Sequence, residues 1–160
     1  ISKVNMKRLA SVGVLAFGVL LSACGGAAAY VPPPNSFPTT QNLPALQLSG
    51  RVINLNQKGS GYKYAKLSLS VQFQDISGQY VHASGAALTK LQTDFAAANS
   101  ATVAAFNDVL TTDVSQKSAS DLATAQGLET LRQQLIKDFN SRLAGPPPVL
   151  YVEFTDFVMQ

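Results

Sequence analysis

The chain has 160 residues, enough for one domain plus a targeting segment. Its formal charge of +3 comes from Lys3, Lys7 and Arg8, because the other nine basic residues balance nine acidic ones. A neutral body argues against nucleic acid as a partner. With one cysteine and one histidine, the chain cannot form an internal disulfide and has few metal ligands, so no cofactor is expected.

Residues 6–24 read MKRLASVGVLAFGVLLSAC. Lys7 and Arg8 precede the apolar run Leu9–Leu21. A transmembrane helix needs about 20 apolar residues, and this run is shorter. It closes on Leu21-Ser22-Ala23-Cys24, which resembles the lipobox of bacterial lipoproteins. That resemblance implies a signal peptide over residues 1–23, with Met6 as the start. It also implies that Cys24 becomes the first mature residue and carries a diacylglycerol and an N-acyl chain. One acyl chain binds a membrane marginally, whereas two or more anchor stably. The alternative is a structural cysteine closing a membrane helix. No aspartate follows Cys24, so the resemblance leaves inner and outer membrane both open.

Residues 24–44 form the lipidated cysteine and a tether of Gly, Ala, Pro, Asn, Ser and Thr. Pro32–Pro34 and Pro38 stiffen it. Proline-rich linkers extend by about 3.1 Å per residue, so this one can hold a domain off a membrane. The domain itself is expected over residues 45–160.

Leu46–Leu55 reads as a strand, with Gly50 as a break or bulge. Asn56–Gly61 reads as a turn. Lys63–Gln74 alternates, with Ala65, Leu67, Leu69, Val71 and Phe73 on one face. The two strands make a hairpin. Asp75–Gly85 is polar, with a short extended piece at Tyr80–Val81. Leu88, Leu91, Phe95 and Ala98, then Val103, Phe106, Val109 and Leu110, give one bent helix or two. Ser115–Ala123 is polar. Thr124 is a good N-cap for Gln126–Leu143, whose stripe is Leu128, Leu131, Leu135, Ile136, Phe139 and Leu143. Glu129, Arg132, Gln133, Lys137 and Asp138 are expected to face away. Gly145 stops the helix. Val149–Gln160 is an apolar final strand in the core. Leu150, Val152 and Phe154 share one parity, Phe157 and Met159 the other, so the switch at Thr155-Asp156 predicts either a bulge there or a strand buried on both faces near its end. The fold class is α+β: a small antiparallel sheet, hairpin plus C-terminal strand, with two or three helices on one face.

Catalytic chemistry has little to build on. His82 lies in a polar loop with no nucleophile elbow nearby. Asp108 and Asp113 read as a solvated helix face. Glu153 and Asp156 read as edge charges that discourage stray strand pairing. Gly59-Ser60-Gly61 reads as a turn, since no helix follows it. Tyr62, Tyr64 and Tyr80 are expected at exposed or loop positions, where aromatic residues either anchor partners or serve local packing. The expectation is a protein that is not an enzyme.

The second half carries a family pattern. Leu122-Ala123-Thr124-Ala125-Gln126-Gly127 leads to Leu131-Arg132-Gln133-Gln134-Leu135 and Phe139-Asn140-Ser141-Arg142-Leu143. The ending is Val152-Glu153-Phe154-Thr155-Asp156-Phe157-Val158-Met159-Gln160. Val52-Ile53-Asn54-Leu55 and Tyr64-Ala65-Lys66-Leu67-Ser68-Leu69 extend the pattern upstream. Together they resemble the FliL proteins. Gln126 stands where the family has Glu, the loop at 76–86 is longer, and a lipobox replaces the usual transmembrane helix. The resemblance implies a stomatin-like fold and a place at the flagellar basal body. It implies assembly into a homo-oligomeric ring beside the motor's stator and modulation of rotation and motility. Localisation would be the cell membrane, lipid-anchored on the extracytoplasmic face. The alternative is an envelope scaffolding lipoprotein that uses the same domain without a motor.

Overall fold

Strict alternation makes β2 (Tyr64–Phe73) the spine of the fold. Ala65, Leu67, Leu69, Val71 and Phe73 are all buried, as the alternation predicts. The computed structural model describes residues 42–56, 64–145 and 147–160. Two antiparallel partners flank β2, namely β1 (Ala45–Asn54) and β3 (Val149–Met159). The sheet order is β1-β2-β3, so β1 and β3 are both edge strands. The β1–β2 register slips between Leu48 and Arg51, around Gly50 where a bulge was expected. A side chain at Gly50 would press on the Lys66 stem, with Cε 3.3 Å from the Cβ position.

Five helical segments join β2 to β3: α1 (Gln79–His82), α2 (Gly85–Ala98), α3 (Ser100–Ser115), α4 (Ala119–Leu122) and α5 (Ala125–Arg142). The single helical pattern from residue 86 to 114 is two helices. Asn99 ends α2 and begins α3, and its Nδ2 donates to the Phe95 carbonyl. Residues 80 and 81 are helical rather than extended. The Asp75 carboxylate accepts from the backbone N–H of Tyr80 and of Val81, which winds that turn. Polar Ser115–Ala123 contains α4, closed by a reciprocal capping box between Ser118 and Asp121.

α5 starts where expected. The Thr124 hydroxyl accepts from Gly127 N–H at 3.0 Å. Leu131, Leu135, Ile136 and Phe139 are buried, with Leu128 and Leu143 partly so. The helix ends by Leu143 turning extended at φ −77°, ψ 135°, so Gly145 is not its stop.

A run of aromatic rings crosses the layers. Phe106 of α3 stacks on Phe139 of α5 at 4.2 Å between centroids and on Phe73 of β2 at 6.1 Å. Phe73 meets Phe95 of α2 edge-on at 5.2 Å, and Phe95 meets Tyr80 at 6.4 Å. One face of the sheet therefore carries the helices and the core. Among the described residues no helix covers the other face, which exposes Val52, Tyr64, Lys66 and Val158.

Candidate functional site

The lipobox Leu21, Ser22, Ala23 and Cys24 lies outside the described residues, as do the tether up to residue 41, Gly59-Ser60-Gly61 and Tyr62. What can be built from the residues upward is the outer strand β3 and the helix that holds it.

β3 carries two irregularities. Ser68 faces Asp156 while Leu69 faces Phe154, so Thr155 is extra, where the sequence predicted a bulge. A second shift lies between Gln72–Tyr151 and Phe73–Val149, so Leu150 is extra as well. The two shifts bring Val149, Val152, Phe154, Phe157 and Met159 opposite the core residues of β2. Leu150 is thus not a core partner of Val152, contrary to the parity count. A bulge changes which face later residues occupy, and simple alternation cannot see one placed near a strand's start. Nor is β3 an interior strand: its first half is buried, and its second half is exposed or half-buried.

α5 seals part of β3's outer edge. Asn140 Nδ2 donates to the Val149 carbonyl at 3.0 Å, and Val149 N–H donates to Asn140 Oδ1 at 2.8 Å. Eight residues earlier, Arg132 Nε donates to the Val152 carbonyl at 2.9 Å. Eight residues are two helical turns and a little more, so both side chains lie on one side of α5. The Arg132 guanidinium pairs with Glu129 and lies 5.3 Å from the Tyr151 ring and 5.5 Å from the Phe154 ring. Arg132 therefore does not face away from the sheet. A guanidinium on an aliphatic stem packs as readily as it solvates, so a polar position on a helix does not fix which it does. The family pattern contains both Arg132 and Asn140, and that was the available signal for their role.

Among the described residues the helical layer buries one acid. Asp113 of α3 is 5% exposed, and its Oδ2 has no hydrogen-bond partner among them. Asp108 is exposed, so the two do not form one solvated face. The acid beside Asp113 is Asp138 of α5, a pairing that depends on how α3 packs on α5. Burial pushes Asp113 up to about 6, the Asp138 carboxylate adds to this, and Lys117 and Gln134 oppose it. Lys117 Nζ itself donates to Gln134 Oε1 at 2.7 Å. Below its unfolded value, Asp113 is protonated in both states and costs nothing. As pH rises from about 4 past about 6, the native state holds an unwelcome charge and loses stability. Holding that charge costs the native state up to about 3 kcal/mol. Asp113→Asn should raise the melting temperature at pH 7–8 by up to that equivalent and flatten the slope between about pH 4 and 6. An unchanged slope in thermal melts would show that Asp113 is not the titrating group.

Among the aromatic candidates, Tyr80 is buried, and its hydroxyl donates to the Leu91 carbonyl at 3.0 Å. It is a packing residue, held inside by the ring of Phe95. Tyr64 is 37% exposed on the open sheet face. His82 is exposed at the end of the four-residue α1. Glu153 is exposed, and Asp156 lies 3.8 Å from Lys66 Nζ. At the start of β1, Ala45 N–H donates to Gln92 Oε1 of α2, and Gln92 Nε2 donates to the Leu43 carbonyl. An open groove of about 540 Å³ lies beside them, lined by Ala45, Leu46, Gln47, Gln92, Thr93, Ala96 and Val103. Among the described residues, no three of His, Cys, Asp and Glu gather as a metal site, and no helix is long and apolar enough to cross a membrane.

A family model described as "Flagellar basal body-associated protein FliL" matches residues 46–160. No curated protein matches the chain.

Proposed function

The chain belongs to the FliL family of flagellar basal body-associated proteins, and from that premise we propose that it is a lipid-anchored protein that assembles beside the motor's stator and modulates flagellar rotation. The match over residues 46–160 carries this reading, since it spans the whole described domain. Cys24 holds the chain to the membrane on its extracytoplasmic face. The residues from Gly25 to Pro44 set the height of the domain above it. The domain meets its own copies and the stator. Its role is positional rather than catalytic.

Two experiments test the anchor and the role separately. Cys24→Ser should abolish lipid labelling and release the chain from membranes. Retention of that variant in the membrane fraction would mean that a helix, not a lipid, anchors it. Deleting the gene in a flagellated host should change swimming or swarming speed, and the intact gene should restore it. Unaltered motility would remove the motor role.

A further inference from the structure

The stretch that follows β2 shows apolar side chains rather than hiding them. From Ile76 to Thr89 the chain has no Asp, Glu, Lys or Arg, and one histidine. Asp75 stands just before it and holds the turn. Its carboxylate accepts from the Ser77 hydroxyl at 2.8 Å, from Tyr80 N–H at 2.8 Å and from Val81 N–H at 3.3 Å. Tyr80 is the inward anchor, packed on Phe95 with its hydroxyl on the Leu91 carbonyl. While Tyr80 turns in, Ile76 and Val81 turn out, at 62% and 41% exposure. Among the described residues these are the large apolar side chains exposed at this end of the sheet, since Val52, Tyr64 and Val158 belong to the other end. Gly85, Ala86 and Ala87, which open α2, are exposed as well and add no charge. A turn already held by these hydrogen bonds needs little further ordering when a partner meets it.

The chain enters the domain at this same place. Asn42 Nδ2 donates to the Ala83 carbonyl at 2.9 Å, and Phe73 N–H donates to the Pro44 carbonyl. The residues that lead back to Cys24 therefore leave the domain beside the 76–89 stretch and not at the far end of the sheet. A linker of this length presents its domain to the membrane at an effective concentration on the order of millimolar, so a contact too weak to hold a free chain suffices for an anchored one. The chemistry of the patch fits a lipid surface. Aliphatic side chains gain from leaving water, and no ionised carboxylate, ammonium or guanidinium in the stretch has to be desolvated at the headgroup boundary.

We propose that the 76–89 stretch is a membrane-contact surface, with Ile76 and Val81 set into the boundary between headgroups and acyl chains of the bilayer that holds the anchor. The domain then stands with its entry end down, and the far end of the sheet, at Val52 and Val158, points away from the bilayer. The contact fixes the orientation of the domain, which the linker alone leaves free. The proposal rests on the membrane attachment within the proposed function and not on its motor role.

The test uses the absence of tryptophan from the chain. Full-length chain is taken from membranes and reconstituted in phosphatidylcholine vesicles, with or without bromine on the acyl chains. Ile76→Trp carries the probe at the proposed contact. A tryptophan seeks the interface by itself, so Val52→Trp, at an equally exposed position about 20 Å away along the strands, is the control. Both positions are exposed, so neither replacement disturbs the core. Brominated lipid should dim Ile76→Trp by about half, as for a ring in the headgroup–acyl boundary, and leave Val52→Trp unchanged. Adding Val81→Ser to Ile76→Trp should weaken that dimming. Equal dimming of the two tryptophans, no dimming at position 76, or dimming indifferent to Val81→Ser would overturn the proposal. An empty vesicle fraction would remove the membrane attachment and the proposal with it, whereas a full fraction without dimming removes the proposal alone. Motility is not read, so the motor role stands or falls separately.

Discussion

Gly127→Ala should lower the melting temperature of the domain by more than about 10 °C, equivalent to about 3 kcal/mol or more. Gly127 sits in the first turn of α5, directly under α4. A Cβ built there falls inside the van der Waals shell of the Asp121 backbone oxygen and 2.8 Å from its carbonyl carbon. Backbone cannot swing aside as a flexible side chain can. Either α4 lifts away, or α5 gives up the Thr124 cap, whose Oγ1 would lie 3.1 Å from the new atom. Lifting α4 unseats Leu122, which is 1% exposed in the core. Gly145→Ala is the matched control. No atom lies within 4 Å of a Cβ there, so it should melt like the parent. Equal melting of the two variants would mean that α4 and α5 are not packed this closely. The family pattern's Gly after position 126 thus has a physical reason, the close approach of two backbones.

Phe106→Ala should cost about 3–5 kcal/mol, a large part of the 5–15 kcal/mol typical of a domain. Phe106 is fully buried and stacks between Phe139 and Phe73, so one ring links α3, α5 and β2. Removing it leaves a cavity in the middle of the aromatic run, where two helices and a sheet limit collapse. Phe106→Leu, which refills most of the volume, should recover more than half of the loss in denaturant midpoint. If Phe106→Ala unfolds at the parent's midpoint, the core is not organised around this stack.

The sequence made much of the fold readable where period and cap agreed. Alternation over Lys63–Gln74 and the Thr124 cap of α5 needed no tertiary knowledge, and the parity switch at Thr155 predicted one bulge of β3. The other bulge, at Leu150, follows the triple proline and is too near the strand's start to leave a pattern. The α4 turn could have been found, because Ser118 and Asp121 have capping-box spacing. Asp113 could not, because its burial and its neighbour Asp138 depend on how α3 packs on α5. Tyr80 stands in a polar loop, and Phe95 and the Leu91 carbonyl, both from a different helix, draw it inside. Arg132 shows the same limit: its family position was legible, but its grip on the Val152 carbonyl is a tertiary fact.

A domain that works at the flagellar base has to be found there in living cells. A fluorescent fusion of the full chain should form foci at flagellar bases in living cells, and the foci should fade when stator proteins are removed. An even distribution around the envelope, unchanged by loss of the stator, would contradict it.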